Sequence, residues 1–322
     1  MTYFFQGTTA FRQILRSFWL KAVPLPVWLA GMAFSLIFIS CDSPQKESYA
    51  PAYTNTPDVK QAVLIFGVHP LHNPQRLFAT YGPLIEYLNR HFPEFTIQLE
   101  ASRSYEEFDK KLYSRHFHLA LPNPYQTINA LPHGYHVFAK MGEDANFRGI
   151  ILVRKDSGIG AVADLKGKII SFPAPTALAA TMMPLYYLHT HGLDVNQDIT
   201  RLFSGSQESS IMNVYLGESA AGATWPPPWQ AFSERNPEIA AELEVKWETP
   251  SLVNNSLVAR DDVPPEVVRK MRSVFLALHM HDEGRRLLAT LPLSCFEAAT
   301  DATYQPVHDF MKKYSETIHS IH

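Results

Sequence analysis

The sequence has little net charge and only two cysteines, and it lacks the short motifs of common catalytic and metal sites. It carries 28 Lys and Arg against 31 Asp and Glu, a formal net charge of −3, so no basic excess indicates a nucleic-acid partner. The cysteines, Cys41 and Cys295, form no closely spaced pair of the zinc-binding kind. Gly-x-Ser-x-Gly, a phosphate-binding glycine loop and paired carboxylates are also missing. We therefore expect neither an enzyme nor a cofactor.

The 14 histidines are the one feature that favours a metal site. His69 and His72 are the best candidate pair, but no cysteine pair or carboxylate cluster accompanies them, and zinc sites need about four such ligands. A zinc-binding protein is therefore not the function that we expect.

The first forty residues have the layout of an export signal. Residues 1–21 contain Arg12, Arg16 and Lys21 and no acidic residue, and residues 22–40 contain no charge. The segment ends in Phe-Ile-Ser-Cys, which is similar to a bacterial lipobox, so we expect lipidation at Cys41. The alternative is an uncleaved membrane-spanning anchor, since the apolar run approaches about 20 residues.

Both alternatives place the rest of the chain outside the cytoplasm, tethered to a membrane. The polar, proline-bearing residues 42–60 predict a flexible linker after the anchor segment 1–41. Asp42, directly after the cysteine, favours retention in the inner membrane if the host is Gram-negative, by resemblance to the lipoprotein sorting rule.

After residue 60, short apolar runs alternate with amphipathic segments. Residues 62–68, 95–100 and 118–121 predict strands, while the spacing of apolar residues over 76–91 and 105–115 predicts helices. This alternation is typical of an α/β fold with a mostly parallel sheet and helices on both faces.

A second block repeats the same order of elements. Residues 149–154 predict a strand and residues 163–172 a turn followed by another strand. A helix is expected from about Pro175–Thr176 to His191, with the pattern continuing to about residue 247. The largely helical tail, residues 264–322, is expected to pack back on the first lobe.

Several segments are informative in combination: Gly67–Pro70, Leu119–Tyr125, Val153–Ile159 with Asp164–Lys168, Phe203–Gln207 and Leu257–Arg260. In this order and at this spacing they resemble the PhnD-like family, the binding proteins of phosphonate, phosphite and phosphate ABC transporters. The resemblance implies a two-lobed type II periplasmic binding fold with the ligand cleft between the lobes. It implies two crossover strands near residues 149–154 and 254–260.

The domain organisation follows from this resemblance. Lobe 1 is expected to comprise residues 61–150 plus 258–322, and lobe 2 residues 151–257. The family's ligand lies at a helix N-terminus in the second lobe, where unpaired N–H groups and the helix dipole attract anions.

The resemblance places this helix start at Thr176, Ala177 and Leu178. Thr176 is expected to donate its hydroxyl to the ligand, or alternatively only to cap its own helix. Ala177 and Leu178 stand where the family offers further hydroxyls, and fewer donors suit a less charged oxyanion or a ligand with an apolar part.

Further ligand contacts are expected from both lobes. Ser206 and Gln207 open a second helix that faces the cleft in the family, although they could serve only as a cap. Trp225 follows a short strand and could wall the pocket. His69 and Tyr125 lie at predicted strand ends of the first lobe, with local packing as the alternative.

The resemblance thus implies a monomeric solute-binding lipoprotein that passes a small oxyanion to an ABC permease. The alternative is a periplasmic sensor whose closed form is presented to a membrane kinase or another receptor. The residues themselves do not separate these two roles.

Overall fold

The computed structural model describes residues 61–291 and 293–318. The chain divides into Met1–Pro57 and a compact unit, Asp58–His322. The predicted export segment, the lipidation site Cys41 and the predicted linker 42–60 lie outside the described residues. All three hydrophobic clusters of the described chain belong to the compact unit, which therefore has a core of its own.

The first lobe is a six-stranded sheet in the order β11-β4-β10-β3-β1-β2. Its elements before the first crossing are β1 (Ala62–Val68), α1 (Pro74–His91), β2 (Phe95–Glu100), α2 (Tyr105–Tyr113), β3 (Leu119–Leu121), α3 (Pro124–Ala130) and β4 (Tyr135–Met141). Those formed after the return are β10 (Ser256–Arg260), α8 (Pro265–Ala277), α9 (Asp282–Thr290), β11 (Phe296–Glu297) and α10 (Gln305–Thr317).

The second lobe is a five-stranded sheet in the order β7-β6-β8-β5-β9. Its elements are β5 (Ile150–Arg154), β6 (Lys168–Phe172), α4 (Met183–Thr190), β7 (Ile199–Phe203), α5 (Gln207–Tyr215), β8 (Ala221–Thr224), α6 (Pro226–Arg235), α7 (Pro237–Glu242) and β9 (Leu243–Glu248). A π-helical turn, Leu178–Met182, precedes α4.

Both sheets are mixed, which corrects the mostly parallel sheet predicted from the sequence. β1 pairs in parallel with β2 and β3, whereas β10 is antiparallel to β3 and β4. In the second lobe β6 is parallel to β7 and β8, and β5 is antiparallel to β8 and β9. β5 and β10 are the first strands after the two connections between the lobes. Each enters its sheet at the edge where the parallel strands of that sheet end, and it is therefore antiparallel to them.

Two connections join the lobes and are hydrogen-bonded to each other. The chain leaves the first sheet after Met141 and returns after Glu248. The Thr249 N–H donates to the Gly149 carbonyl oxygen over 2.9 Å, and the Gly149 N–H donates to the Thr249 hydroxyl over 2.9 Å. This pairing makes a two-stranded hinge out of two connections that are separated by about a hundred residues.

Local sequence explains the long helix beside the cleft. Asn73 caps α1 by accepting a hydrogen bond from the Arg76 N–H over 2.9 Å, and Pro74 occupies the first helical position. Leu77, Tyr81, Leu84 and Leu88 then fall on one buried face.

The helical tail packs largely on the first lobe. Phe275 of α8 stacks on Phe66 of β1 with ring centroids 6.4 Å apart, within a buried cluster of that lobe. Phe310 of α10, however, contacts Tyr186 of α4 in the second lobe. No helix within the described ranges is both long and apolar enough to cross a membrane.

Candidate ligand-binding site

A small cavity lies where the cleft edges of the two sheets meet. Its volume is about 10 Å³, room for about one water molecule. Both lobes and the first connection line it, through His69, Tyr105, Asn123, Phe147, Ala177, Leu178, Ala179, Ala180, Gln207, Trp225 and Asn255. None of these residues is Lys, Arg, Asp or Glu, so the cavity is polar without a permanently ionised side chain.

Five of the residues predicted from the sequence meet at this cavity. They are His69, Ala177, Leu178, Gln207 and Trp225. Thr176, Ser206 and Tyr125 do not line it. Their roles in ligand binding stay predictions, and the structure shows what their side chains contact here.

The π-helical turn Leu178–Met182 presents its N-terminal end to the cavity. The first N–H groups of a helix have no acceptor within the helix, so they are available to a ligand oxygen and the helix dipole favours a negative charge there. Pro184 explains the wide turn, because it lacks the N–H that would bond to Ala180 in a regular helix. Such turns are frequent at functional sites.

Gly149 lets this turn approach the hinge. A Cβ atom at residue 149 would lie 2.5 Å from the Ala179 carbonyl oxygen and 2.7 Å from the Pro184 ring. The hinge and the helix start are therefore in direct backbone contact, which couples the position of the helix to lobe movement.

Gln207 links the second lobe to the first. Its amide oxygen accepts a hydrogen bond from the Thr224 hydroxyl over 2.8 Å, and its amide nitrogen donates to the Tyr105 hydroxyl over 3.4 Å. Burial raises the pKa of Tyr105 to about 12, so the phenol keeps its proton at neutral pH. Tyr105 can therefore accept from Gln207 and donate to a ligand oxygen.

His69 is a neutral, buried ring at the same cavity. Its Nδ1 donates to the Leu121 carbonyl oxygen over 2.9 Å, so Nε2 is left as an acceptor. Burial lowers the pKa of His69 to about 4, and the hydrogen bond to Leu121 only partly opposes this shift. Tyr105 and Phe108 contact the ring edge-on and hold its orientation.

Asn255 is the polar group of the cavity with an unused hydrogen-bonding atom. The residue is 1% exposed, and its side-chain oxygen has no hydrogen-bond partner among the described residues. Its amide nitrogen donates to the Met141 sulfur over 3.5 Å. A buried acceptor without a donor costs about 1–3 kcal/mol, so a ligand with a hydroxyl or N–H group at this point would be stabilised.

Trp225 closes one side of the cavity. The ring is 3% exposed and meets Phe147 of the first connection in an edge-on contact with centroids 5.5 Å apart. The indole therefore packs against the hinge, and its role in ligand binding stays a prediction.

Thr176 joins the lobes instead of capping a helix. The predicted cap is wrong, because the helix start lies at Ala177, which has no side-chain oxygen to serve as a cap. The Thr176 carbonyl oxygen accepts a hydrogen bond from the Asn123 side chain over 2.9 Å, and the Thr176 hydroxyl lies near the Asp109 carboxyl of α2, whose pKa is raised by burial and lowered to a smaller extent by this hydroxyl. We call Thr176, Asp109 and Asn123 the interlobe latch.

Ser206 and Tyr125 make local contacts. Ser206 caps α5, its hydroxyl accepting from the Ser209 N–H over 3.0 Å, which matches the alternative considered for it. Tyr125 lies in the first turn of α3 and packs against the hydrophobic cluster that spans both lobes. Burial raises the pKa of Tyr125, and the nearby Asp109 carboxylate adds to this effect.

Comparison with known proteins identifies the family. The family model of the periplasmic substrate-binding proteins of phosphonate ABC transporters matches residues 66–304 of the 322. The chain belongs to this family. Its members are binding components of transporters that act outside the cytoplasm, so the protein is an extracytoplasmic substrate-binding protein and not an enzyme.

Individual relatives are distant in sequence and close in fold. A probable phosphite binding protein, PhnD1 of Prochlorococcus marinus (strain MIT 9301), is 24% identical over 204 residues, 59% of this chain and 67% of the relative. The phosphate-import protein PhnD of Mycolicibacterium smegmatis is 21% identical over 261 residues, 76% of this chain and 79% of the relative. The structure of Prochlorococcus PhnD1 in complex with methylphosphonate matches with a TM-score of 0.73 at 20% identity, covering 80% of this chain and 99% of that one. The likeness confirms the predicted two-lobed fold.

Proposed function

We propose that the protein is the binding component of an ABC importer and that its cavity takes a small phosphorus oxyanion with one negative charge and one hydroxyl group. The observation that carries this proposal is the pairing of a helix N-terminus with the unsatisfied Asn255 oxygen in a cavity without ionised side chains. The N–H groups suit the charged oxygens, and Asn255 suits the hydroxyl.

Two further observations support a singly charged ligand. His69 offers an acceptor nitrogen and no positive charge while it is neutral. Ala177 and Leu178 add backbone groups but no side-chain donors. The relatives carry names that refer to phosphite, phosphate and methylphosphonate, which are all small phosphorus oxyanions.

Binding requires the lobes to separate further than they do here. A cavity of about 10 Å³ is too small for a tetrahedral oxyanion, since a single water needs about that much space. We therefore expect a ligand-bound form that is slightly more open than this structure and a transport cycle of hinge opening and closing.

The test is isothermal titration of the compact unit Asp58–His322 with phosphite, methylphosphonate and methanesulfonate. Methanesulfonate has the size and charge of the methylphosphonate monoanion but no hydroxyl. We expect methylphosphonate to bind at least tenfold more tightly, a ratio that corresponds to about 1.4 kcal/mol, and Asn255→Ala to reduce this preference. Equal affinities in the wild-type unit would contradict the proposed ligand chemistry.

We also propose that the chain is a monomeric lipoprotein anchored through Cys41, with residues 42–60 as the linker. The support is the uncharged segment 22–40 that ends at this cysteine. Labelling of cells with a fatty-acid analogue is expected to mark the wild-type chain and not Cys41→Ser. Persistent labelling of the variant would exclude Cys41 as the lipid site. The alternative role as a sensor stays a prediction, because it would use the same closed form.

A further inference from the structure

A second chamber lies in the cleft next to the central cavity. It has a volume of about 310 Å³, within the range of small-molecule sites. Its walls come from both lobes: the start of α1 and the end of α9 on one side, and α6 on the other. Trp225 lines both the chamber and the central cavity, so the two share this ring as a wall, and in a more open form a ligand would have to extend past it to occupy both.

We propose that the natural substrate carries a second acidic group, which Arg76 binds in this chamber; this inference rests on the proposed function. Arg76 lies in the first turn of α1, is partly buried, and lines the chamber. Its guanidinium makes no hydrogen bond or close ion pair with another described residue, whereas Arg115, Arg154 and Arg260 each contact a carboxylate.

The surroundings of Arg76 favour an anion. Loss of water and repulsion by Arg235 lower the pKa of Arg76, and Glu208 opposes this only in part. Arg235 already has Glu208 at 3.7 Å. A partly buried cation without a close counter-ion is destabilising, and an acidic group of the ligand would offset this.

The other groups of the chamber fit an organic anion. His72 contributes no positive charge, because burial and the neighbouring Arg76 lower its pKa to about 3. Glu234, the one carboxylate lining the chamber, is exposed, so water and salt screen its charge, and it accepts a hydrogen bond from Gln230 over 3.0 Å. Trp225 and Pro228 form an apolar wall against which a short carbon chain can pack. The substrate class that follows is a phosphonate whose carbon chain ends in a carboxylate.

The experiment compares phosphonates of similar size that differ in the end group. The compact unit is titrated with methylphosphonate, propylphosphonate, 2-aminoethylphosphonate and a series with carboxymethyl, carboxyethyl and carboxypropyl chains. We expect at least one carboxylated member to bind tenfold or more tightly than propylphosphonate, and the amine to show no such gain. Arg76→Gln should remove the gain, and Arg76→Lys should keep part of it.

Arg286→Gln is the matched control, because Arg286 is an exposed arginine of α9 and its loss changes the net charge equally. The gain should survive in this variant, and the melting temperature of each variant reports its folding. If methylphosphonate binds and no carboxylated compound binds more tightly, or if the gain persists in Arg76→Gln, the second-acid proposal is wrong while the proposed function stands. If no phosphonate binds, the second-acid proposal is wrong, and if phosphite does not bind either, the proposed function is wrong too.

Discussion

At the scale of single residues, the site depends on buried polar groups that are neutral. His69 and Asn255 both offer acceptors to the cavity, and Tyr105 offers a donor. A dianion would find only N–H groups and one hydroxyl to balance its charge, whereas a monoanion with a hydroxyl can satisfy donors and acceptors together. Protonation therefore decides which form of the ligand fits this cavity.

His69 makes the stability of the protein depend on pH. Its pKa is about 4 in the folded state and about 6.5 when unfolded, so the unfolded chain binds the proton more readily. The contribution of His69 is fully present above pH 6.5 and is lost as the pH falls towards 4. Between pH 7 and pH 4.5, we expect the free energy of unfolding of His69→Gln to fall by about 2 kcal/mol less than that of the wild type, as measured by urea unfolding.

The exposed His308 provides the control for this comparison. His308→Gln should follow the wild-type pH dependence. Asp109 acts in the opposite direction, because burial raises its pKa to about 6 and the folded chain then gains stability on acidification below that pH. An identical pH dependence in His69→Gln and the wild type would show that the ring is not neutral and buried as described.

At the scale of elements, regular patterns were predictable and irregular ones were not. Period-two and helical spacing place β2 and α1 close to their observed bounds. The helix expected from Thr176 instead begins with the π-helical turn at Leu178. That turn depends on Pro184 and on the close approach of Gly149, a contact between the hinge and a helix that no local pattern records.

The same distinction separates the site residues that the sequence revealed from those that it missed. His69 and Gln207 belong to segments that resemble the family. Asn123 could have been found, because Asn-Pro directly after a strand marks a helix start in the cleft. Tyr105 and Asn255 have no local signature: one follows a serine cap and the other ends a connection between lobes, and they meet only through the tertiary fold.

At the scale of the whole molecule, the lobes are held together by contacts that a ligand must rearrange. A single hydrophobic cluster extends from Tyr105 and Phe117 in the first lobe to Trp225 and Phe172 in the second. The interlobe latch adds the hydrogen bond from the Asn123 side chain to the Thr176 carbonyl oxygen and the proximity of the Thr176 hydroxyl to the Asp109 carboxyl. The balance between closed and open forms is therefore set by residues outside the central cavity as well as by its lining.

Thr176→Val tests this separation between closure and recognition. The substitution keeps the shape of the side chain and removes the hydroxyl that lies near the partly buried Asp109 carboxyl, a loss of about 1–3 kcal/mol. We expect the ligand-free compact unit to shift towards the open form, seen as a larger radius of gyration in small-angle X-ray scattering. Methylphosphonate affinity should rise, since the ligand-bound form is more open than this latched form and the closed, ligand-free form competes with binding.

The preference for methylphosphonate over methanesulfonate should nevertheless stay at its wild-type value, because the Thr176 hydroxyl contacts Asp109 and not the cavity. Asn255→Ala should instead reduce the preference for methylphosphonate and have little effect on the radius of gyration. Thr200→Val, at an exposed position of β7 in the same lobe, controls for the substitution itself. A changed preference in Thr176→Val would mean that this hydroxyl turns to the ligand, as the sequence first suggested, and that the latch belongs only to the ligand-free form.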